Sequence, residues 1–199
     1  INEKHIKNAK YIYISGVTMA TSDSFKEAIK KLLSLSDKYQ IPTIFDPNIR
    51  MKLWSNATEA RKSVLQIAKV VDYFIPSHEE LKLLLDIDSP QKAIKKLIDE
   101  GLKNIIIKLG EKGALIGNKE VITSKKSYKV DKVIDTRGAG DAFVGGFIVG
   151  LLENKNIEDA VDLGNLVGAF ATTVTGNIEA YPTKEDLEVF LGKKEEITR

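Results

Sequence analysis

Residues 133–147, VIDTRGAGDAFVGGF, set two carboxylates around a glycine-rich turn. Asp135 comes first, then the small residues Gly138, Ala139 and Gly140, then Asp141 and a stretch that reads as helix. Gly138 and Gly140 allow positive φ and let a ligand come close to the backbone. A helix starting near Gly140 has first-turn N–H groups without intrahelical partners, and its dipole favours an anion such as a phosphate there. An acid alone at that place is an ordinary first-turn residue. That reading leaves unexplained the small positions just before it and the Gly145-Gly146 pair behind. A dinucleotide fingerprint fits poorly, because Gly138 and Gly140 are followed by Phe143 rather than glycine, and there is no Lys-Ser/Thr pair of a P-loop. Phosphoryl transfer to a hydroxyl fits better: the amides hold the transferring group and Asp141 accepts the hydroxyl proton.

Such residues need elements to position them, and strands alternate with helices along the chain. YIYIS (11–15), PTIFD (42–46) and DYFIP (72–76) read as strands, and NIIIKLG (104–110) is a continuous apolar run of the kind buried on both faces. Residues 22–39, 57–70, 77–85 and 89–101 read as helices, the last running from Ser89-Pro90 to a terminating Gly101. EKG turns the chain into ALIGN (114–118), and the NKE turn with SYKV (127–130) suggests a short antiparallel edge. The helices after Gly140 and Ile157 are nearly all small and apolar, hence packed internally, and 183–192 is a closing amphipathic helix. The alternation predicts an α/β fold, a largely parallel sheet with helices on both faces, in one domain over 1–199. Ligands in such sheets bind at the carboxyl ends of the strands. DPNIR, PSHEE, KLGEKG and DTRGAGD all follow strands or strand-rich segments, which places four site loops along one edge.

Composition narrows the chemistry. A formal charge of +2, with no basic run interleaved with aromatics, argues against nucleic acid. The absence of cysteine excludes disulfides and thiolate zinc sites, and His5 and His78 are too far apart in the chain to suggest a histidine metal cluster. No signal peptide and no apolar run of membrane-spanning length is visible, so the expectation is a soluble, cytoplasmic protein without a membrane partner.

DTRGAGDAF closely resembles the second signature of the ribokinase-like (pfkB) carbohydrate kinases, Asp-Thr, any residue, Gly-Ala-Gly-Asp. The resemblance implies that Asp141 is the catalytic base, that the Gly138, Ala139 and Gly140 amides form the anion hole, and that the anion is the γ-phosphoryl group of ATP. It extends over essentially the whole chain. FDPNIR matches the family's Asp-x-Asn-x-Arg strand end, here Asp46, Asn48 and Arg50; taken alone it is a turn. KLGEKG resembles the nucleotide loop and places Lys108, Gly110 and Gly113 near ATP; taken alone it is a hairpin turn. PSHEEL stands where the family has Asn-x-x-Glu, which organises Mg2+ through water. Ser77 replaces that Asn on the nucleotide side, Glu80 is retained, and His78 reads as a solvated helix residue. Asn165 falls where the family lines the adenine pocket. Asp135 and the Arg137 backbone, with the loop at Gly176, resemble the monovalent-cation (K+) site of some members.

NIRMKLWS and GNIEAYPTKEDLEVFLG look like the 2-keto-3-deoxygluconate kinase branch, with Leu53-Trp54 after the arginine and Ser at position 77. A keto acid carries a carboxylate, which Arg50 at a strand's carboxyl end can bind through two parallel bonds. The plain alternative for Arg50 is a structural ion pair with Asp46 or Glu59. Asn177, just beyond Gly176, is a further polar contact to the sugar. Family members carry an additional N-terminal segment with the first sheet strands, a β lid through which they oligomerise, and sugar-binding Gly and Asn residues. The expectation is therefore that this chain starts in the middle of the fold. A ribose, fructose or nucleoside kinase, and a truncated non-catalytic nucleotide-binding module, remain as alternatives.

Overall fold

The first strands are short, and what covers them explains their order. The computed structural model describes residues 1–194. From the N-terminus come α1 (Glu3–Ile6), β1 (Ile12–Ser15), α2 (Asp23–Tyr39), β2 (Thr43–Asp46), α3 (Ala57–Ala68) and β3 (Tyr73–Phe74). Then follow α4 (His78–Leu85), α5 (Pro90–Asp99), β4 (Asn104–Lys108), β5 (Ala114–Gly117) and β6 (Ile122–Lys125). The helices α6 (Ala139–Leu152), α7 (Ile157–Ala171) and α8 (Lys184–Phe190) complete the described chain. The residues group into two compact units, Ile1–Lys108 with Leu115–Thr123, and Leu109–Ala114 with the described residues from Ser124 onward. No helix among the described residues is long and apolar enough to cross a membrane.

The six strands form one sheet in sequence order. β1, β2, β3 and β4 pair in parallel, with Ser15 opposite Asp46, Phe45 opposite Phe74, and Phe74 opposite Ile105. The connections 109–113 and 118–121 are too short for a parallel crossover, so β5 and β6 return as hairpins. Ile44, Phe45, Ile105, Ile106 and Ile107 are fully buried although successive residues point to opposite faces, so both faces are covered. This is the expected α/β architecture with a mostly parallel sheet and helices. The expected limits of α5 also hold: Ser89 caps it, Pro90 opens it, and Gly101 at φ 95 lets Leu102 N–H bond back to Leu97 C=O.

Two expectations are corrected. The antiparallel edge is Ile122–Lys125, and residues 127–130 form no strand. Asn118 decides this: its Oδ1 accepts from Glu120 and Val121 N–H, and its own N–H donates to Val121 C=O. The turn closes at once, and pairing starts at Ile122. The DTRGAGD loop, expected to follow a strand or strand-rich segment, does not: the Val133-Ile134 run before it forms no strand, despite its β-branched residues. The Ile134 and Asp135 amides instead donate to Thr172 C=O just beyond α7, and both apolar side chains stay exposed.

In the second unit α6 and α7 lie against each other through glycine. A Cβ on Gly146 would sit 2.9 Å from Leu163 O, one on Gly150 2.7 Å from Ala160 Cα, and one on Gly164 2.9 Å from Phe143 O. Gly145, one residue before Gly146, has nothing within 4 Å of the corresponding position. The neighbours therefore respond oppositely to the same change. Gly145→Ala should raise stability by up to about 1 kcal/mol, the helix-propensity gain. Gly146→Ala should lower it by about 1–2 kcal/mol, because overpacking of about 1–3 kcal/mol exceeds that gain. Urea unfolding of both variants measures the difference; equal effects would mean that α6 and α7 can part freely.

Candidate active site

In the first unit the site residues gather at the carboxyl ends of the parallel strands. Asp46, the last residue of β2, is 1% exposed. A carboxylate so placed needs a cation, and Lys108 at the end of β4 brings its Nζ to 3.1 Å from both Asp46 oxygens. The two residues are 62 positions apart, and no sequence pattern announces the pair. Between them in the sheet, the chain leaving β3 bonds on through Ile75 N–H to Phe45 C=O, and Lys108 N–H donates to Pro76 C=O.

Ser77 caps α4 in a reciprocal capping box with Glu80. The Ser77 Oγ accepts from Glu80 N–H at 3.2 Å, and Ser77 N–H and Oγ–H donate to Glu80 Oε2 at 2.7 and 2.9 Å. Glu80 Oε1 accepts the Ile49 amide at 2.7 Å, which ties the loop after β2 to α4. In that loop Asn48 is at φ 38, in the left-handed region that Asn tolerates, and its N–H reaches Asp46 Oδ1 at 3.3 Å. Arg50 is exposed, and its Nη1 makes one long contact, 3.5 Å, to Ile49 C=O. Neither ion pair expected for Arg50 forms: Asp46 has Lys108, and Glu59 has Lys26 at 3.4 Å.

The second unit holds the glycine turn. Among the described residues, seven of the eight α-helices begin with an Asn, Ser or Thr whose side chain accepts a first-turn N–H. α6 begins at Gly138, with φ 75 and no side-chain cap. Gly138 is the position of positive φ, whereas Gly140 lies inside the first turn with Asp141. A Cβ at Gly138 would collide with Asn177 Oδ1, so glycine is required here for the backbone and for that neighbour. Asn177 thus lies against the turn.

Asp135 accepts Arg137 N–H at 3.0 Å and the guanidinium at 2.8–3.1 Å. The Arg137 guanidinium, helped by the Arg137 and Gly176 amides, holds this carboxyl below the usual carboxylate range. A monovalent cation at Asp135 would meet a carboxylate already paired with the Arg137 guanidinium. Gly110 and Gly113 are at φ 60 and 91, and a Cβ on Gly113 would run into Lys125 C=O. Asn165, 4% exposed, donates through Nδ2 to Lys125 and Lys126 C=O at 3.4 and 3.3 Å. Gly113 and Asn165 thus meet the same two residues.

Sequence reading missed Tyr181. With Asp141, Gly145, Val149 and Pro182 it lines a cavity of about 480 Å3 along α6. Burial and the Asp141 charge push its hydroxyl up. A single aromatic before Pro182 carries no signal of that neighbourhood. For Mg2+, the described residues form no group of three or more His, Asp or Glu. After its three hydrogen bonds Glu80 keeps one acceptor site on Oε1 for a metal-bound water.

The chain is similar to known proteins over most of its length. Residues 1–184 match the family described as pfkB family carbohydrate kinase. The chain is 30% identical over 177 residues to the ATP-dependent 6-phosphofructokinase of Thermoanaerobacterium thermosaccharolyticum, covering 89% of this chain and 54% of that protein. It is 30% identical over 183 residues to the 2-dehydro-3-deoxygluconokinase of Bacillus subtilis, covering 92% and 56%. The aminoimidazole riboside kinase of Salmonella enterica, crystallised with aminoimidazole riboside and an ATP analogue, superposes with a TM-score of 0.85 at 31% identity, covering 91% and 62%. The chain spans little more than half the length of the curated relatives it matches.

The buried pair predicts an asymmetric response. Lys108→Met leaves the Asp46 carboxylate buried without a counter-charge and should cost about 3–5 kcal/mol. Adding Asp46→Asn to that variant should recover most of the loss. Urea unfolding of the single and double variants checks this, and a double variant as unstable as Lys108→Met would exclude the charge explanation.

Proposed function

Since the chain belongs to the pfkB family of carbohydrate kinases, we propose that residues 1–199 are the nucleotide-binding and catalytic part of an ATP-dependent sugar kinase. The uncapped glycine turn that opens α6, with Asp141 in its first turn, carries the reading. The acceptor's terminal hydroxyl gives its proton to Asp141 as its oxygen bonds to the γ-phosphorus and the bond from that phosphorus to the ADP oxygen breaks. The Gly138, Ala139 and Gly140 amides receive the charge on the moving phosphoryl oxygens. Bound Mg2+ supplies neutralisation of the phosphate charge, with Glu80 placed to receive one of its waters. The nucleotide side is assigned to Ser77, Lys108, Gly110, Gly113 and Asn165, and the acceptor side to Arg50 and Asn177.

The acceptor is a sugar acid of the 2-keto-3-deoxygluconate type. Arg50 supports this, because an exposed guanidinium with no salt bridge among the described residues can take a carboxylate in two parallel bonds. A relative named for a gluconate and one named for a phosphosugar match the chain equally, at 30% identity, so a phosphosugar is the competing acceptor.

Two measurements test the reading in the full-length protein. Asp141→Asn keeps the shape and removes the proton acceptor, so kcat should fall at least ~10²-fold while ATP binding persists. Turnover near the wild-type rate would remove Asp141 from the mechanism. Arg50→Leu should lower kcat/KM for the keto acid roughly 10- to 150-fold, the equivalent of a charge-assisted bond of about 1.5–3 kcal/mol. A neutral sugar should be nearly unaffected, and Arg50→Lys should recover only part of the loss. Equal weakening of every acceptor, or a preference for ribose or fructose, would sink the sugar-acid assignment and leave the kinase reading standing.

A further inference from the structure

We propose that Glu80 is a positioning residue for the acceptor loop, acting through the Ile49 backbone amide. The proposal rests on the kinase reading above and assigns a task within that same site. The capping box of α4 needs one carboxylate oxygen, and Oε2 serves it by accepting Ser77 N–H and Oγ–H. Oε1 points elsewhere. It takes the Ile49 amide, 31 positions away in sequence, at 2.7 Å. Bonds to an ionised acceptor are the stronger class of hydrogen bond. An ionised carboxylate offers about four acceptor sites, so both Oε2 sites and one Oε1 site are occupied before any metal-bound water arrives.

The loop needs this hold. Asn48 sits in the left-handed region at φ 38, and the bond from its N–H to Asp46 Oδ1 is long, 3.3 Å. Arg50 follows directly on Ile49, and its guanidinium has the single 3.5 Å contact to Ile49 C=O. The direction of Arg50 is therefore set by the backbone at 48–49, and Glu80 holds that backbone. The line of support runs from the Ser77 cap through Glu80 and the Ile49 amide to Arg50. A residue expected from the family to serve the metal side would then control affinity for the acceptor.

The two roles have different chemical needs. Organising a metal requires the carboxylate charge, whereas holding the Ile49 amide requires only an acceptor oxygen, which Gln provides. The experiment compares Glu80→Ala and Glu80→Gln in the full-length protein. It reads amide hydrogen exchange at Ile49 in metal-free buffer, acceptor KM with the keto acid, and the Mg2+ concentration for half-maximal rate. Glu80→Ala should raise both Ile49 exchange and acceptor KM by roughly tenfold or more, the equivalent of losing a charge-assisted bond, and the KM rise should persist at saturating Mg2+; a rise in the Mg2+ midpoint reports the separate loss of the metal-bound water. Exchange at Ile106 in β4 should stay at the wild-type level, which separates loop release from unfolding. Glu80→Gln should restore most of the Ile49 protection and of the KM. On an Arg50→Leu background Glu80→Ala should add little to KM, because both changes remove one interaction. The proposal is overturned if Ile49 exchange or acceptor KM in Glu80→Ala stays at the wild-type level, or if Glu80→Gln behaves like Glu80→Ala in both. If the wild-type protein transfers no phosphoryl group to the keto acid, the functional reading fails, and Ile49 exchange then decides by itself whether Glu80 holds the loop.

Discussion

A carboxylate that is 1% exposed at the end of a central strand cannot stay ionised without a counter-charge, and the first unit is arranged around that requirement at Asp46. Lys108 answers it from β4, two strands away, with β3 between them. The pair ties together the strand ends from which the loops emerge. Its net contribution to stability is small, since desolvating two charges offsets most of their attraction. Its contribution to geometry is larger, because a slip of either strand would leave a buried charge unmatched. Ser77, bridged to Lys108 at the strand ends, then starts α4 at a set place, and Glu80 carries that place over to the loop after β2.

The second unit depends on missing side chains rather than on charges. Gly146, Gly150 and Gly164 bring α6 and α7 closer than any Cβ allows, and Gly138 gives up both a cap and a Cβ where Asn177 lies. An uncapped helix end costs about 1 kcal/mol relative to a Ser or Asn cap. The other described α-helices all avoid that cost through an Asn, Ser or Thr cap.

Several motif residues have structural partners of their own. Lys108 is matched to Asp46, Asn165 holds the Lys125 and Lys126 carbonyls, and Asp135 is matched to Arg137. These engagements explain local geometry and are compatible with service to a ligand, because a side chain with fixed partners is also a side chain with a fixed direction. Arg50 differs. It has no salt bridge among the described residues, and its backbone alone orients it.

The sequence by itself determined the order of elements, the α/β class and the identity of the glycine turn, because each rests on local signals. Hydrophobic periodicity, Ser and Pro caps, and Gly101 are read within a few residues, and the structure places α2, α5 and β4 within a residue or two of the expected limits. The family resemblance rested likewise on short contiguous motifs. Where two local signals competed, local reading failed. Asn118 closed its turn before residues 127–130 could pair, and Thr172 captured the Ile134 and Asp135 amides. Only the tertiary structure decided which charges meet. Asp46 with Lys108, Glu80 with the Ile49 amide and Tyr181 near Asp141 join residues tens of positions apart. Such contacts depend on strand register and helix placement, which arise from the packing of the whole core and leave no trace in the spacing of the residues that finally touch.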